Sequence, residues 1–382
     1  MSSDQPVRSA DEREQLAHEY EGMRQRLLVV QVVLTVLFLL FFQWLGSTPL
    51  VELLERLWGG ERGFLFHASY ASILLLGFSS LFFPLSYYRG YVLEHHYELS
   101  NQSHGTWLSD FIKSLLIDLL ITALLFATVY SLLASLAGSW WWVAACIYTL
   151  FAVILSTLAP ILIMPLFYSF EPLAKEGLTE RINERVAAAD IPIAGVYRWG
   201  LEESSNTANA AFVGMGKTRR IILSDTLLKR CDEDEILAVV AHEIGHCKHQ
   251  DIWRMMGLNA LCALLVFFGA HHLLCRLIDQ VGVTQIADVS AAPLLLLSLF
   301  ALSMLLVPVA NAFSRRCEYA ADGYAVRSHA GAASLISALE QLSDQNLSVR
   351  EPHPWIERLL HSHPSLPRRI KYIQSVEQEL KT

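Results

Sequence analysis

The sequence predicts a mainly α fold: a polytopic α-helical membrane protein with about six spans and a split α+β domain at one membrane face. Three observations lead to this fold class. The chain of 382 residues is 53% hydrophobic and only 17% charged, which is more apolar surface than one soluble core takes up. Long apolar windows recur along the chain. Two polar stretches, one between windows and one after the last, are together large enough for one small folded domain.

Each apolar window is long enough to cross a hydrocarbon layer, which is about 30 Å thick and takes around 20 helical residues. The windows divide the chain into an N-terminal membrane domain with four spans (1–168), a first polar stretch (169–252), two further spans (253–313) and a second polar stretch (314–382). The polar domain is therefore expected to be discontinuous in sequence. The predicted spans are 27–46, 64–87, 114–137, 140–168, 253–277 and 291–313.

Arginine and lysine residues beside the spans predict the orientation, because they are enriched in short cytoplasmic loops. More of them lie on the side of the N-terminus, so this side is expected to be cytoplasmic. With six spans, both termini and both polar stretches then lie in the cytoplasm. The spans would cross the inner membrane if the source is bacterial. The first span follows 26 polar residues and precedes no small-residue cleavage pattern, which predicts a permanent anchor. The residues compared are Arg8, Arg13, Arg24, Arg26, Arg89 and Lys113 on the cytoplasmic side and Arg56 and Arg62 on the other.

The composition argues against two other classes of protein. A formal net charge of -8 offers no basic surface for phosphate backbones, so nucleic acid is not an expected partner. The six cysteines show no Cys-x-x-Cys spacing, so neither a disulfide framework nor a thiolate zinc site is expected. The lipid bilayer is the partner that the composition requires.

The first polar stretch contains signals for a small sheet followed by a helix. Short strands are predicted at 195–201, 209–215 and 219–224, with a glycine turn at 214–216 between the last two. From Asp232 the chain reads Asp-Glu-Asp-Glu before an apolar run, which is an N-cap residue with a glutamate at the third helical position. A helix is predicted to begin there.

That helix carries the motif His242-Glu243-Ile244-Gly245-His246. A spacing of four residues puts both imidazoles on one face, about one turn apart, as two zinc ligands of the H-E-x-x-H pattern require. Glu243 is displaced around the helix, where it can act on a water at the metal without binding the ion, so its expected role is general base. Because so short a pattern also arises by chance, the prediction needs a third ligand.

The third ligand is expected in segment 314–322, a predicted helix that leaves the sixth span. Glu318 and Asp322 share one face of it. Glu318 would complete a His₂Glu site for one Zn²⁺ per chain with one position left for water, and Asp322 would accept the free ring N–H of a ligand histidine. The alternative is a solvated helix with a surface carboxylate pair. The zinc site is favoured because this segment leaves the membrane on the same face as His242.

With these residues the chain resembles the type I CAAX prenyl proteases and their bacterial relatives, which are integral membrane gluzincin metalloendopeptidases. The resemblance extends over most of the chain and implies a zincin-like metalloprotease domain at the cytoplasmic face and a water-filled chamber among the membrane helices. Besides the zinc motif and the 314–322 segment, the matching segments are Leu-Glu-His-His-Tyr-Glu-Leu-Ser-Asn-Gln-Ser (93–103), Ile-Met-Pro-Leu-Phe (163–167), Asn-Ala-Ala-Phe-Val-Gly (209–214), Arg-Ile-Ile-Leu-Ser-Asp-Thr-Leu-Leu (220–228) and His-Pro-Ser-Leu-Pro-Arg-Arg-Ile (363–370).

The resemblance also implies roles for residues outside the zinc motif. Asn209, Ala210 and Ala211 would lie on an edge strand to which an extended substrate adds as a further strand. His363 and Arg369 would face the substrate and stabilise the developing oxyanion. The sequence departs from the eukaryotic pattern, since it has six apparent spans instead of seven and lacks the long loop before the zinc helix. The resemblance therefore does not predict the shape of the chamber or the choice of substrate for this chain.

The predicted function is zinc-dependent hydrolysis of peptide bonds in membrane-associated or prenyl-protein-like substrates, for C-terminal processing or for membrane-protein quality control. An intramembrane site-2-type protease would carry its motif within a span, and residues 232–251 are too polar for that. A zinc-binding scaffold or a transporter is the non-enzyme alternative. Transport would require several ionisable groups within the spans, where Asp118 alone is suitably placed, and lost activity would predict a replaced Glu243.

Overall fold

The computed structural model describes residues 10–328 and 331–382. Arg8, one of the residues used to predict the orientation, lies outside them. In the described part of the chain, six helical segments are long and apolar enough to cross a membrane, which confirms the predicted number of spans. Most are longer than the predicted windows, because the helices continue past the apolar residues into the polar domain. The six segments are Asp11–Leu57, Phe64–His96, His104–Ser135, Trp140–Leu166, Asp251–Val281 and Val289–Arg327.

Three of these segments are interrupted by a π-helical turn, and the remaining helices belong to the polar domain or connect the spans. The π-helical turns are Phe42–Gly46, Tyr88–Val92 and Ala159–Ile163. The α-helices are α1 (Ala10–Phe41), α2 (Ser47–Leu57), α3 (Phe64–Tyr87), α4 (Leu93–His96), α5 (His104–Ser135), α6 (Trp140–Leu158), α7 (Glu176–Ala188), α8 (Asp225–Arg230), α9 (Glu233–Lys248), α10 (Asp251–Leu277), α11 (Ala292–Arg327), α12 (Ala332–Gln345), α13 (Pro354–Leu360) and α14 (Leu366–Lys381). The 3₁₀ turns are Met164–Leu166, Gly216–Thr218, Ile278–Val281 and Val289–Ala291.

The ends of the spans remote from the polar domain pack into one aromatic core. Tyr70, Tyr130 and Trp140 are fully buried there, among residues of α2, α3, α5, α6, α10 and α11. Two of the enclosed hydroxyls are paired: those of Ser47 and Tyr70 lie 2.6 Å apart, and Ser47 donates to the carbonyl of Ser290 at 2.7 Å, whereas the Tyr130 hydroxyl has no hydrogen-bond partner among the described residues. The bundle is thus tightly packed at this end, and the clefts that reach His242 and His246 lie at the other end.

The predicted strands form a four-stranded sheet in the order β1-β2-β4-β3. The strands are β1 (Ser169–Pro172), β2 (Gly195–Gly200), β3 (Ala210–Val213) and β4 (Arg220–Ser224). β2 and β4 are parallel, and β1 and β3 each add antiparallel to one of them. β1 was not predicted, because it is short and follows a span directly. β3 stands at the edge of the sheet, as the resemblance implied.

The helix with the zinc motif begins where the sequence predicts. Asp232 caps α9 by accepting from the backbone N–H of Glu235 at 2.9 Å, and the Glu235 carboxylate accepts the N–H of Asp232 at 2.8 Å in return. The same carboxylate is buried against α12, where it accepts from Ser337 at 2.5 Å and from Gln341 at 2.6 Å. One glutamate therefore caps α9 and joins the two polar stretches of the chain.

Candidate active site

α9 and α11 bring together the three predicted metal ligands. His242 and His246 come from the middle of α9, and Glu318 comes from the part of α11 beyond its apolar span. The two helices touch at Gly245, where a Cβ atom would lie 2.8 Å from the Cα of Ala321. A side chain at Gly245 would therefore push α11 away from α9. This close approach explains why the residue before the second histidine is glycine.

The ligand atoms of these residues converge on one point. The Nε2 atoms of His242 and His246 lie 3.2 Å apart, and each lies 3.5 Å from a different oxygen of Glu318. Ligands held about 2.0–2.1 Å from a tetrahedral ion are separated by about 3.3 Å, so these separations match a zinc site. The three residues are also the one His/Cys/Asp/Glu group of metal-binding geometry among the described residues.

The outer nitrogen of each ring is held by a buried carboxylate. Nδ1 of His242 donates to Asp322 at 2.8 Å, and Nδ1 of His246 donates to Asp251 at 2.9 Å. A neutral imidazole that donates from Nδ1 has its lone pair on Nε2. The Nε2 lone pairs of the two histidines therefore face each other and the Glu318 carboxylate. These groups repel one another unless a cation lies between them.

Asp251 is the functional residue that the sequence reasoning missed. It follows Gln250, whose φ of +56° is left-handed, and this turn brings the first residue of α10 back over His246. Asp251 is 5% exposed, although it follows the polar end of α9. An aspartate five residues after the second histidine, at a helix start, is the signal that could have identified it.

The residues fit the metal that the motif implies. Glu318 Oε2 is buried without a hydrogen-bond partner of standard geometry, as an oxygen reserved for a cation would be. Without the ion, burial works against protonation of His242, but its contacts with Asp322 and Glu318 outweigh burial and raise the pKa of the ring to about 9. A metal ion would replace that proton and satisfy the same groups.

Arg369 is buried behind His242 and does not project freely into the cleft. Its Nε and one Nη donate to the two oxygens of Asp322 at 2.9 and 2.6 Å, and its other Nη lies 3.5 Å from Glu318. The guanidinium thus holds the carboxylate that holds His242. The sequence-based expectation placed Arg369 against the substrate, and the structure places most of its donors on Asp322.

His363 and Glu243 are the groups that face open space beside the ligands. The His363 side chain is 65% exposed, with Nδ1 3.0 Å from Glu318 Oε2. Glu243 lines the clefts on both sides of the site. Burial raises the pKa of its carboxyl, whereas His242, His246 and the backbone N–H of Phe212 lower it in part.

Two clefts meet at the ligands. One has a volume of about 840 Å³ and runs from His242 and Glu243 past Asn209 and Ala210 of the edge-strand segment to the polar end of α1, where Arg24 lies. The other, of about 660 Å³, reaches Glu243 and His246 from the side of Phe212. A chain lying along β3 would therefore pass the ligands with open space in both directions.

Sequence comparison places this site in a known family. The sequence profile of peptidase family M48 matches residues 172–377, which is more than half of the chain and includes all three ligands. The chain belongs to peptidase family M48. A second profile, described as CAAX prenyl protease N-terminal with five membrane helices, matches residues 8–169, where the described residues contain four candidate spans. The M48 chain is thus a membrane metalloendopeptidase.

Relatives of this M48 chain carry matching descriptions. It is 30% identical over 292 residues to the "Uncharacterized metalloprotease YhfN" of Bacillus subtilis, covering 75% of this chain and 68% of the relative. It is 30% identical over 293 residues to the "Probable CAAX prenyl protease 1" of Schizosaccharomyces pombe, with coverages of 76% and 62%. The crystal structure of S. mikatae Ste24p matches 97% of this chain and 92% of its own with a TM-score of 0.83 at 23% identity, which shows a shared fold.

Proposed function

We propose that this chain is a zinc-dependent endopeptidase, with one Zn²⁺ per chain, that hydrolyses peptide bonds of membrane-associated or prenyl-protein-like substrates. The observation that carries the proposal is the convergence of His242, His246 and Glu318 beside Glu243 in the wall of a cleft. Zinc at that point would act as a Lewis acid on the scissile carbonyl and would lower the pKa of the attacking water. Residues of the chain would bind the substrate, transfer the protons and stabilise the negative charge.

The edge strand β3 is the proposed substrate-binding element. The backbone N–H of Ser224 donates to the carbonyl of Asn209 at 2.9 Å, so Asn209 and, by the alternation of an antiparallel ladder, Ala211 face β4. Ala210 and Phe212 then present their backbone carbonyls outward, where an extended peptide can donate to them as a further strand, while the Ala210 N–H donates to Oδ1 of Asn209 at 2.8 Å. Of the predicted residues Asn209, Ala210 and Ala211, Ala210 would make the backbone contact and the other two would fix the strand.

Glu243 is the proposed general base. It is adjacent to His242 on α9, half-buried and outside the set of ligand atoms. From this position its carboxylate can take a proton from the attacking water and pass it to the leaving amine. The Phe212 backbone N–H lowers the pKa of the same carboxyl, so the base lies beside the strand that would hold the substrate.

His363 and Arg369 are proposed to stabilise negative charge in different ways. The exposed His363 ring lies next to Glu318, where it can donate a hydrogen bond to the developing oxyanion. Arg369 would add positive charge from the side of His242 remote from the substrate, because its N–H groups are directed at Asp322 and Glu318. Its main proposed role is to position Asp322 and through it His242.

The protein is an integral, multi-pass membrane protein, and we propose that its termini and the metalloprotease site lie in the cytoplasm. The polar part of α1 contacts the second polar stretch through Arg13 with Asp344 at 3.7 Å and Glu21 with His361 at 3.0 Å. The N-terminal region and the site therefore share one membrane face. The arginine and lysine bias of the short flanks assigns that face to the cytoplasm.

A quality-control protease of the same family is the alternative function. The clefts open on both sides of the ligands, so internal segments of a membrane protein could enter as well as chain ends. A zinc-binding scaffold without activity is disfavoured, because Glu243 is retained at the position of the base.

Zinc content and peptide cleavage, measured on the same detergent-purified samples, test the proposal. Wild type should hold one zinc per chain. Glu318→Ala should lose both zinc and activity, whereas Glu243→Gln should keep zinc and lose turnover. Unchanged zinc and activity in Glu318→Ala, or full activity in Glu243→Gln, would refute the mechanism. Prenylated and unprenylated forms of one peptide, compared by kcat/KM, would then separate C-terminal processing of lipidated substrates from general proteolysis.

A further inference from the structure

The short helix α13 has an amphipathic pattern that is reversed for a helix in water. Trp355 is 62% exposed and Leu359 is 44% exposed, and their spacing of four residues puts them on one face. The helix instead buries a carboxylate, since Glu357 is only 2% exposed. A helix on a soluble domain turns its apolar face inward. We propose that the outer face of α13 lies in the interfacial region of the lipid bilayer and that this contact holds the loop 361–365, which carries His363.

The position of α13 against α11 places it at membrane depth. Asn311, inside the predicted sixth span, donates from Nδ2 to the carbonyl of Leu359 at 2.9 Å. Arg315, one turn further, donates to the carbonyls of Glu357 and Arg358 at 3.1 and 3.3 Å and so caps the C-terminal end of α13. Leu359 therefore lies level with the point where the sixth span leaves the hydrocarbon layer.

The apolar surface of α13 continues the surface of the sixth span. Met304 of α11 is an exposed apolar residue that precedes Asn311 by just under two turns, which puts it on the same face of the helix. An exposed apolar side chain on a spanning helix suits contact with lipid. In the proposed arrangement, the side chains of Trp355 and Leu359 form an apolar belt with Met304 at the hydrocarbon edge. A bilayer covers this belt without any further partner.

The polar atoms around this face also suit a lipid headgroup region. The guanidinium of Arg358 lies over the Trp355 ring, 5.4 Å from its centroid, and both side chains are exposed. Tryptophan settles at membrane interfaces because its ring is apolar with one polar N–H, and arginine extends its charge toward the headgroups. Arg316, the residue that follows Arg315 on α11, is also exposed and adds a second positive charge at this level. The charge pattern therefore favours lipid over an apolar protein surface.

The loop that follows α13 is tied to that helix at both ends. The buried Glu357 side chain accepts from the backbone N–H of Ser365 at 3.1 Å, and the Glu357 carbonyl accepts from the backbone N–H of His361 at 3.3 Å. Between these two anchors, His363 approaches Glu318 to 3.0 Å. A displacement of α13 would therefore move His363 relative to the ligands. This second part of the inference rests on the proposed peptidase function.

Quenching of tryptophan fluorescence by brominated lipid tests the location of α13. The full chain would be placed in nanodiscs of ordinary or brominated phosphatidylcholine, as wild type and as Trp355→Phe. The emission that Trp355→Phe removes should belong to the lipid-quenched component. Trp44→Phe, at a 63% exposed position inside the first spanning segment, is the positive control, and Trp199→Phe, buried in the sheet, is the negative control. If the emission removed by Trp355→Phe is not quenched by brominated lipid, α13 is covered by protein or by water and the inference fails.

Catalysis in bilayers tests the link to the loop. Leu359→Asn should lower kcat several-fold in nanodiscs while zinc content stays at the wild-type level. Leu380→Asn is the matched control, because Leu380 is an exposed leucine near the end of α14, remote in sequence from the loop. Wild-type kcat in Leu359→Asn would refute the link. The quenching result does not depend on activity, so failure of the membrane contact and failure of the proposed function are distinguishable.

Discussion

Asp251 accepts a hydrogen bond from Nδ1 of His246 at 2.9 Å from the first position of a membrane-spanning helix. One of the two proposed ligand histidines, His246, is thus oriented by the fifth span, and the other, His242, is oriented by Asp322 from the helix of the sixth span. A change in the relative position of these two spans would alter the direction of both ligand lone pairs. The metal site therefore depends on how the membrane bundle packs.

Asp251→Ala is expected to weaken zinc binding by about 10- to 100-fold, because the partner of a ligand histidine fixes its ring and tautomer. Asp251→Asn should have a smaller effect, since its oxygen can still accept the hydrogen bond. The measurement is zinc transfer to a chromogenic chelator. Arg254→Gln is the control, because Arg254 is exposed and lies 3.6 Å from the Asp251 carboxylate. Zinc affinity equal to wild type in Asp251→Ala would exclude this role.

The sequence predicts the spans and the core of the site because both depend on local patterns. Hydropathy over about 20 residues identifies a span. The N-cap Asp232 and the His-x-x-x-His spacing act within one helix, so the start of α9 and the shared face of His242 and His246 follow from sequence alone. The shared helix face of Glu318 and Asp322 predicts that Asp322 accepts the ring N–H of a ligand histidine, without saying which one; its oxygen lies 2.8 Å from Nδ1 of His242.

What the sequence could not supply depends on tertiary contacts. Asp251 reaches His246 only through the left-handed turn at Gln250, a conformation that glutamine seldom adopts and that its identity does not signal. Arg369 was expected at the oxyanion, and its hydrogen bonds to Asp322 could not be read from residues 47 positions apart. The buried Glu357 likewise depends on Ser365 and Arg368, which fold back over it.

Gly245→Ala is expected to destabilise the site by overpacking. The new methyl would lie 2.8 Å from the Cα of Ala321, and backbone cannot move aside as a flexible side chain can. The expected cost is about 1–3 kcal/mol of unfolding free energy, with reduced zinc content because Glu318 moves away from the histidines. Thermal unfolding and zinc content should be measured together. Gly257→Ala, whose Cβ has nothing within 4 Å, should leave both at or above wild-type values.

Glu235→Ala is expected to lower the unfolding free energy by about 2–4 kcal/mol, because it leaves the partly buried donors of Ser337 and Gln341 without a charged acceptor and removes half of a capping box. Glu233→Ala, two residues earlier, removes an exposed ion pair with Arg181 and should cost less than about 1 kcal/mol. Denaturant unfolding in detergent measures both. Equal losses in the two variants would show that Glu235 does not join the two polar stretches.

Arg369→Lys separates the two roles considered for this arginine. Lysine keeps the positive charge but cannot donate to both oxygens of Asp322, which Arg369 contacts at 2.9 and 2.6 Å. If Arg369 acts mainly by positioning Asp322 and His242, the variant should lose zinc affinity together with kcat, by about tenfold or more. If it acts mainly on the oxyanion, zinc affinity should stay at the wild-type value while kcat falls. Arg368→Lys is the control, because Arg368 is exposed and contacts Glu357 instead. Chelator competition and steady-state kinetics on the same preparations distinguish these outcomes, and the doubly bonded geometry leads us to expect the first.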